Sequence, residues 1–270
     1  MSALSERVEI RIDEQVAEVM LNRPDKYNAL DLDTFYALDE AARTMAGEAS
    51  VRAVVLHGAG ENFCAGIDIS VLKGQSERIG AALLDPVEGS PANIFQRAAY
   101  AWRELPVPVI CALQGVTFGG GFQIAMGADL RYAAPGTTFS IMESKWGLIP
   151  DMAISTTLRN IVPLDRVKEL AWTAGVFNAA EALQWRIVTA IEDDPLAAAR
   201  KMASVIRAKS PDAVRGIKRL LNEAWHLSEA DSLALEAELQ LQLLGKQNQV
   251  EAVRANLEKR EPEFVDEFAE

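Results

Sequence analysis

Histidine, cysteine and positive charge are what this sequence has least of. Among 270 residues there are two histidines and two cysteines. The histidines, His57 and His226, stand alone, with no cysteine or carboxylate at ligand spacing. That argues against a metal site and leaves little room for a histidine-based triad. Cys64 and Cys111 both sit in apolar runs, which marks them as core thiols rather than a disulfide framework. Such thiols fit a reducing compartment, so a cytoplasmic location is expected. Lys and Arg together number 27 against 39 Asp and Glu, a formal charge of −12. No basic face for nucleic acid is expected from that balance. A few local cations can still hold a phosphate-bearing ligand on an acidic protein.

Unbroken apolar runs are missing too. Residues 1–18 mix charges throughout and lack the apolar centre of a signal peptide. Residues 105–128 carry no charge, which is long enough to raise the question of a membrane span. Pro106 and Pro108 open that stretch, and Gly115, Gly119, Gly120, Gly121 and Gly127 punctuate it. Clustered glycines suit a buried strand, a tight turn and a buried helix, so no membrane association is expected.

What remains is an alternation of strands and helices. Residues 8–12 and 16–21 read as a hairpin. Asp31 or Asp33 can cap a helix running to about Met45, with Leu32, Phe35, Leu38 and Ala42 on one face. Residues 51–56 and 107–113 read as buried strands and 91–103 as a helix. A glycine turn, a short helix at 121–127 and short strands at 130–133 and 138–141 follow. The pattern predicts an α/β fold. From Pro195 onward nearly everything reads as helix, with Ser210 and Ser228 as N-caps and Pro211 at a first helical position. The expected division is a core of residues 1–194 and a helical region of 195–270. In the helix at 229–245, Leu233, Leu235, Leu239, Leu241, Leu243 and Leu244 offer more apolar surface than one flank usually hides. Packing on the chain's own core and packing against neighbouring subunits both account for it.

Three segments carry chemistry. In the first, Phe63-Cys64-Ala65-Gly66-Ile67-Asp68, small residues after a strand let backbone approach a ligand. The second is a strand entering a helix through Gly119-Gly120-Gly121-Phe122-Gln123. N–H groups left free at a helix start can face negative charge, although a glycine triplet alone fits a plain tight turn as well. Two such amides from separate loops would form an oxyanion hole. The third segment sets Glu143 and Asp151 eight positions apart across a loop containing Gly147 and Pro150, among apolar residues. Apolar surroundings raise carboxylate pKa values and suit proton transfer at carbon. Taken alone, the pair reads equally as solvated surface carboxylates.

In that order the three segments, with the Leu21-Asn22-Arg23-Pro24-Asp25-Lys26-Tyr27-Asn28-Ala29-Leu30 run before them, resemble the crotonase superfamily, the enoyl-CoA hydratase/isomerase family. The resemblance extends from about Val8 to Phe264. It implies a spiral of ββα units with a helical C-terminal trimerisation domain, assembled as a homotrimer or a dimer of trimers. It also implies an acyl-CoA substrate, with coenzyme A as part of that substrate and no separate cofactor. The oxyanion donors would be the N–H groups of Ile67 and Gly120. Coenzyme A would lie near Lys26, Ala65, Ile67 and Asp68, and Lys259 and Phe264 would belong to the stretch that closes over it, often from a neighbouring subunit. Residues 75–93, where the family varies, would shape the acyl pocket wall.

One departure bears on the subclass. Hydratases of this family use two glutamates, and the first of these positions is Gln123 here, the second Glu143. An amide can orient water but cannot take its proton. An aspartate at the position of Asp151 resembles the dienoyl-CoA isomerases, from which the chain departs again at Gln123, where they usually keep a third acid. The resulting expectation is an isomerase that shuttles a proton between Asp151 and Glu143. The alternatives are hydration by Glu143 with Gln123 positioning water, and a non-catalytic acyl-CoA-binding protein.

Overall fold

The computed structural model describes residues 2–72, 76–159 and 161–266. Gln75, where the expected pocket wall begins, lies outside them. Strands β1 (Ser2–Ser5), β2 (Val8–Asp13) and β3 (Val16–Leu21) pair antiparallel. The two residues joining β2 to β3, Glu14 and Gln15, both have positive φ, the backbone that matches a tight hairpin to strand twist. A 3-10 turn at Pro24–Lys26 then leads to Asp31, whose carboxylate accepts from the Thr34 N–H at 2.9 Å and caps α1 (Leu32–Gly47). Such a cap contributes about 1 kcal/mol.

Strand β4 (Ala53–Gly58) is buried at every position, as a strand flanked by parallel neighbours and covered on both faces must be. It begins two residues later than the apolar run suggests. Helices α2 (Ile69–Leu72), α3 (Ser76–Leu84) and α4 (Ile94–Glu104) follow, the last held by a capping box of Asn93 and Gln96. The next turn supplies β5 (Val109–Leu113), β6 (Val116–Phe118), α5 (Gly120–Gly127), β7 (Leu130–Ala133) and β8 (Thr138–Ser140). After a 3-10 turn at Glu143–Trp146 come α6 (Ile154–Thr157), α7 (Leu164–Thr173), β9 (Phe177–Asn178), α8 (Ala179–Gln184) and β10 (Ala190–Ile191).

These strands form two sheets. The larger has the order β1-β2-β3-β4-β5-β7-β10 and is parallel from β3 to β10; the smaller has the order β6-β8-β9. The chain passes from the large sheet to the small one in successive turns, first from β5 to β6 and then from β7 to β8. Single bridges extend the small sheet, joining Cys64 to Thr117 and Leu30 to Ile67. Each turn of the chain thus lays a short segment beside the one before it, which is the spiral that the resemblance implies.

Two apolar layers hold the large sheet. On one face, α1 and α4 bury Phe35, Leu38, Ala98 and Trp102 against Val19, Val54 and Leu56. On the other face, α9 (Pro195–Arg207) lays Ala199 and Ala203 on Val55, Ile110 and Tyr132, the small side chains letting helix and sheet approach closely. The helical region therefore begins with a helix that belongs to the packing of the sheet. It continues as α10 (Pro211–Glu223), α11 (Glu229–Leu243) and α12 (Gln247–Glu258), with Ser210 and Ser228 as the N-caps that the sequence suggests. Buried Lys218 ties α10 to the core by donating to Asp129 (2.7 Å), Trp102 O (3.0 Å) and Val107 O (2.9 Å), one acceptor for each ammonium hydrogen. In α11, Leu235 and Leu239 are buried, whereas Leu233 and Leu241 are 64% and 70% exposed. Among the described residues no helix is long and apolar enough to cross a membrane.

Candidate active site

The site is assembled where β4 and β5 end and the chain crosses to the small sheet. Asn28 sets the first wall. Its side chain donates to Ala59 O (3.0 Å) and Asn62 O (2.8 Å) and accepts from Arg23 N (2.8 Å), so three stretches of main chain meet on one amide. Beyond it, Ala65 N donates to Tyr27 O at 2.9 Å. Lys26, Ala65 and Ile67 consequently lie along one rim.

The two expected oxyanion turns come together. Cys64 exchanges hydrogen bonds with β6, donating to Val116 O and accepting from Phe118 N, both at 3.0 Å. Gly66, at φ +89°, follows so tightly that a side chain there would lie 2.8 Å from Phe118 O and 3.2 Å from Gly120 N. Only glycine combines that backbone with that approach. Leu30 pairs with this segment by donating to Gly66 O and accepting from Asp68 N, so the Ile67 N–H between them points the other way. Gly120 opens α5, where the first N–H groups of a helix have no internal acceptor. Among the described residues neither amide donates to the protein. Both are left free, on turns that pack against each other.

The acids come from the loop that follows β8. Glu143 lies beside the Gly119 turn, 3.4 Å from where a Cβ on Gly119 would sit. Its Oε1 accepts from Gln123 Nε2 at 2.6 Å, while its Oε2 is buried with no partner among the described residues. Burial pushes the Glu143 carboxyl up, opposed in part by its own backbone N–H and by the Gln123 hydrogen bond and reinforced by the charge of Asp151. Asp151 is open to solvent on one side yet crowded by protein on the others, and desolvation raises it as well. Met152 packs under Gly120, its sulfur 2.9 Å from where a Cβ there would be, which draws the Asp151 loop against the amide side.

Several residues are placed differently from expectation. Gln123 is 0% exposed and does not face the cleft as a water or substrate ligand. Its amide is spent inside the protein, with Nε2 donating to Glu143 and Oε1 accepting from Met152 N at 2.8 Å. Asp68 sits on the expected rim, but its carboxylate is engaged by Ser70 and by Arg23 at 3.2 Å, and the Ser70 hydrogen bonds hold it below the usual carboxylate range. It staples the loop. Phe264 is not at this chain's own site. Its ring lies over Arg52 at the opposite end of β4, and its carbonyl accepts from Arg52 Nη2 at 3.0 Å. The six residues of β4 separate the two ends by roughly 20 Å. Lys259 closes α12 in a left-handed conformation, and no contact among the described residues joins it to the acid pair. The sequence does not single out Met152, whose apolar side chain carries no chemical signal, nor Asn28 as the knot of the rim.

Comparison with known proteins agrees with this geometry. The family model for enoyl-CoA hydratase/isomerase matches residues 11–267. A short-chain-enoyl-CoA hydratase of Clostridium acetobutylicum is 32% identical over 92% of this chain and 94% of its own length. A peroxisomal Delta(3,5)-Delta(2,4)-dienoyl-CoA isomerase of Arabidopsis thaliana is 30% identical over 94% of each. Among solved structures, an enoyl-CoA hydratase from Bacillus anthracis superposes with a TM-score of 0.89 at 26% identity, covering 97% of this chain and 100% of that one. Spiral fold, paired amides and matched sequence converge: the chain belongs to the enoyl-CoA hydratase/isomerase family of acyl-CoA enzymes.

Proposed function

We propose that this enzyme moves a double bond along the acyl chain of an enoyl- or dienoyl-CoA. One observation carries the reading. Two carboxyls with raised pKa values belong to segments packed on the glycine turn, Glu143 beside Gly119 and Asp151 next to the Met152 that packs on Gly120, while the third position that could hold an acid is Gln123, neutral and sealed from solvent. Asp151 takes a proton from a carbon conjugated with the thioester. The C–H electrons pass through the chain onto the carbonyl oxygen, which the Ile67 and Gly120 N–H groups hold as it gains charge. Glu143 then delivers a proton to another carbon as the carbonyl re-forms, so the product has the atoms of the substrate. Asp151 faces solvent and can lose its proton there, and Glu143 regains one before the next turnover. The same geometry serves with the two acids exchanged.

The Lys26–Ala65–Ile67 rim is the coenzyme A side in this reading, and the exposed leucines of α11 meet neighbouring copies in a homotrimer or a dimer of trimers. The Arabidopsis relative, named as a dienoyl-CoA isomerase, supports isomerisation. The Clostridium relative, named as a hydratase, favours a second reading in which Glu143 alone activates water. Water would then need an orienting group other than Gln123.

The test is a panel of thioesters followed by absorbance. Conversion of a 3,5-dienoyl-CoA to its conjugated 2,4-isomer, faster than loss of the 2-enoyl-CoA chromophore, is the expected result. Rapid 2-enoyl-CoA hydration without isomerisation would replace the proposal with the hydratase reading. Binding of the esters without turnover would make the protein a non-catalytic acyl-CoA binder.

A further inference from the structure

Gln123 deepens this reading, and the inference rests on the acid pair just proposed. We propose that Gln123 is a positioning residue that fixes which oxygen of Glu143 carries its proton, namely Oε2, and ties that acid to the loop bearing Asp151. Two hydrogen bonds determine the orientation of the amide. The Met152 N–H can only donate, so the atom 2.8 Å from it is the glutamine carbonyl oxygen. The nitrogen must then be the atom 2.6 Å from Glu143 Oε1. An amide nitrogen only donates, so Oε1 accepts, and in a protonated carboxyl the carbonyl oxygen is the stronger acceptor, which places the hydroxyl on the other oxygen. That leaves Oε2, which is buried and has no donor among the described residues. A charge on that oxygen is costly without a partner, and a neutral hydroxyl there is less so.

Gln123 is the side-chain donor to Glu143, beside the backbone N–H groups of Glu143 and Met142. Asp151 is the charged group that faces Glu143, and its effect is repulsive. Helix α5 and strand β6 bring no charge. On the 3-10 turn of Glu143 itself, Lys145 is exposed and stacks on Trp146. Helix α7, packed on that turn, keeps Asp165, Lys168 and Glu169 exposed and turns Arg166 to Glu169 and Trp185. A glutamate at position 123 would accept from Met152 equally well. Its other oxygen would then meet Glu143 Oε1 acceptor to acceptor, a contact that survives only if the two carboxyls share a proton. The glutamine is therefore more than a spacer. It joins the two acid-bearing segments through one planar group and supplies Glu143 with a donor that cannot itself titrate.

Two variants separate this role from simple packing. Gln123→Met removes both hydrogen bonds, and Gln123→Glu keeps the acceptor for Met152 while removing the donor to Glu143. Infrared titration of the carboxyl band in the substrate-free protein, with Glu143→Gln to assign the band, reads Glu143 directly. Both variants are expected to raise its midpoint by about one pH unit or more. Both should lower kcat at least about tenfold with KM within about threefold, and the pH profile of kcat should move upward with the band. A midpoint and profile unmoved in both variants would overturn the proposal. Restored kcat with an unshifted midpoint in Gln123→Glu would overturn it too, leaving only a structural tie to Met152. Should Gln123→Met fail to fold, Gln123→Glu carries the test. If the wild-type enzyme does not isomerise dienoyl-CoA, the function proposed above fails while the infrared midpoint still decides this inference.

Discussion

The amide side of the cleft is made of main chain, and the acid side is made of side chains. On the amide side, Gly66, Gly120 and Gly121 pack so closely that an added Cβ would meet neighbouring atoms at 2.3 to 2.9 Å. That packing, with the hydrogen bonds of Leu30 to Gly66 and Asp68, fixes where the Ile67 and Gly120 N–H groups point. On the acid side nothing is so crowded. Ile149, between the two carboxyls, is 75% exposed, and Glu143 and Asp151 are held by one buried amide and one packed methionine. The contrast teaches a division of labour. A part that must not move is locked by close packing, whereas a part that exchanges protons keeps a solvent-facing member and a tunable hydrogen bond.

Several substitutions can break or sharpen that contrast. The largest effect is expected on the acid side. Glu143→Gln should lower double-bond migration by roughly 10²–10⁴-fold, the usual contribution of a general acid or base, with acyl-CoA binding by calorimetry within about threefold. Next comes the amide side. Gly121→Ala would place a Cβ 2.3 Å from Cys64 O, so it should cost about 3 kcal/mol of stability and lower the melting temperature by roughly 6–10 °C. An unchanged melting curve would show that the turn yields more than its packing suggests.

Linkage gives a smaller effect. Burial raises the Glu143 carboxyl above its ordinary 4.5. Its neutral form therefore favours folding fully below that value, and this contribution is lost as pH rises through the raised pKa. Glu143→Gln, neutral at every pH, should match the wild type in melting temperature near pH 4 and exceed it at pH 8. The gain should be about 1.4 kcal/mol for each pH unit of elevation. The smallest effect concerns the thiols under the amide side. Cys64 is buried and pushed up to about 12, and Cys111 is buried and pushed higher still. Neither should react with iodoacetamide in the native protein, while both should after denaturation.

Much of the amide side was legible in the sequence, because small residues at Ala65–Gly66 and a glycine triplet entering a helix leave few other conformations. The hairpin, the Asp31 cap and the helices beginning at Ser210 and Ser228 were legible for similar reasons: local turn and cap chemistry specifies them. Glu143 and Asp151 could be nominated, but nothing local distinguishes a solvated pair from a desolvated one. Their surroundings arise from Gln123, twenty residues before Glu143, and from the packing of Met152 on Gly120, neither of which is visible locally. For Gln123 the missing acid was visible and its partners were not. The place of Phe264 was not legible for a related reason, since a tail carries no pattern that announces which end of β4 it will dock against. The exposed leucines of α11 matched the sequence pattern because helical periodicity is local.

The account depends on an acid pair that works across two converged amides, and Asp151→Asn tests it most directly. The variant keeps the size of the side chain and removes its ability to take a proton. Assayed on a 3,5-dienoyl-CoA, it should lose at least about a hundredfold in isomerisation rate while binding a saturated acyl-CoA within about threefold of the wild type. Isomerisation at the wild-type rate in that variant would contradict the account.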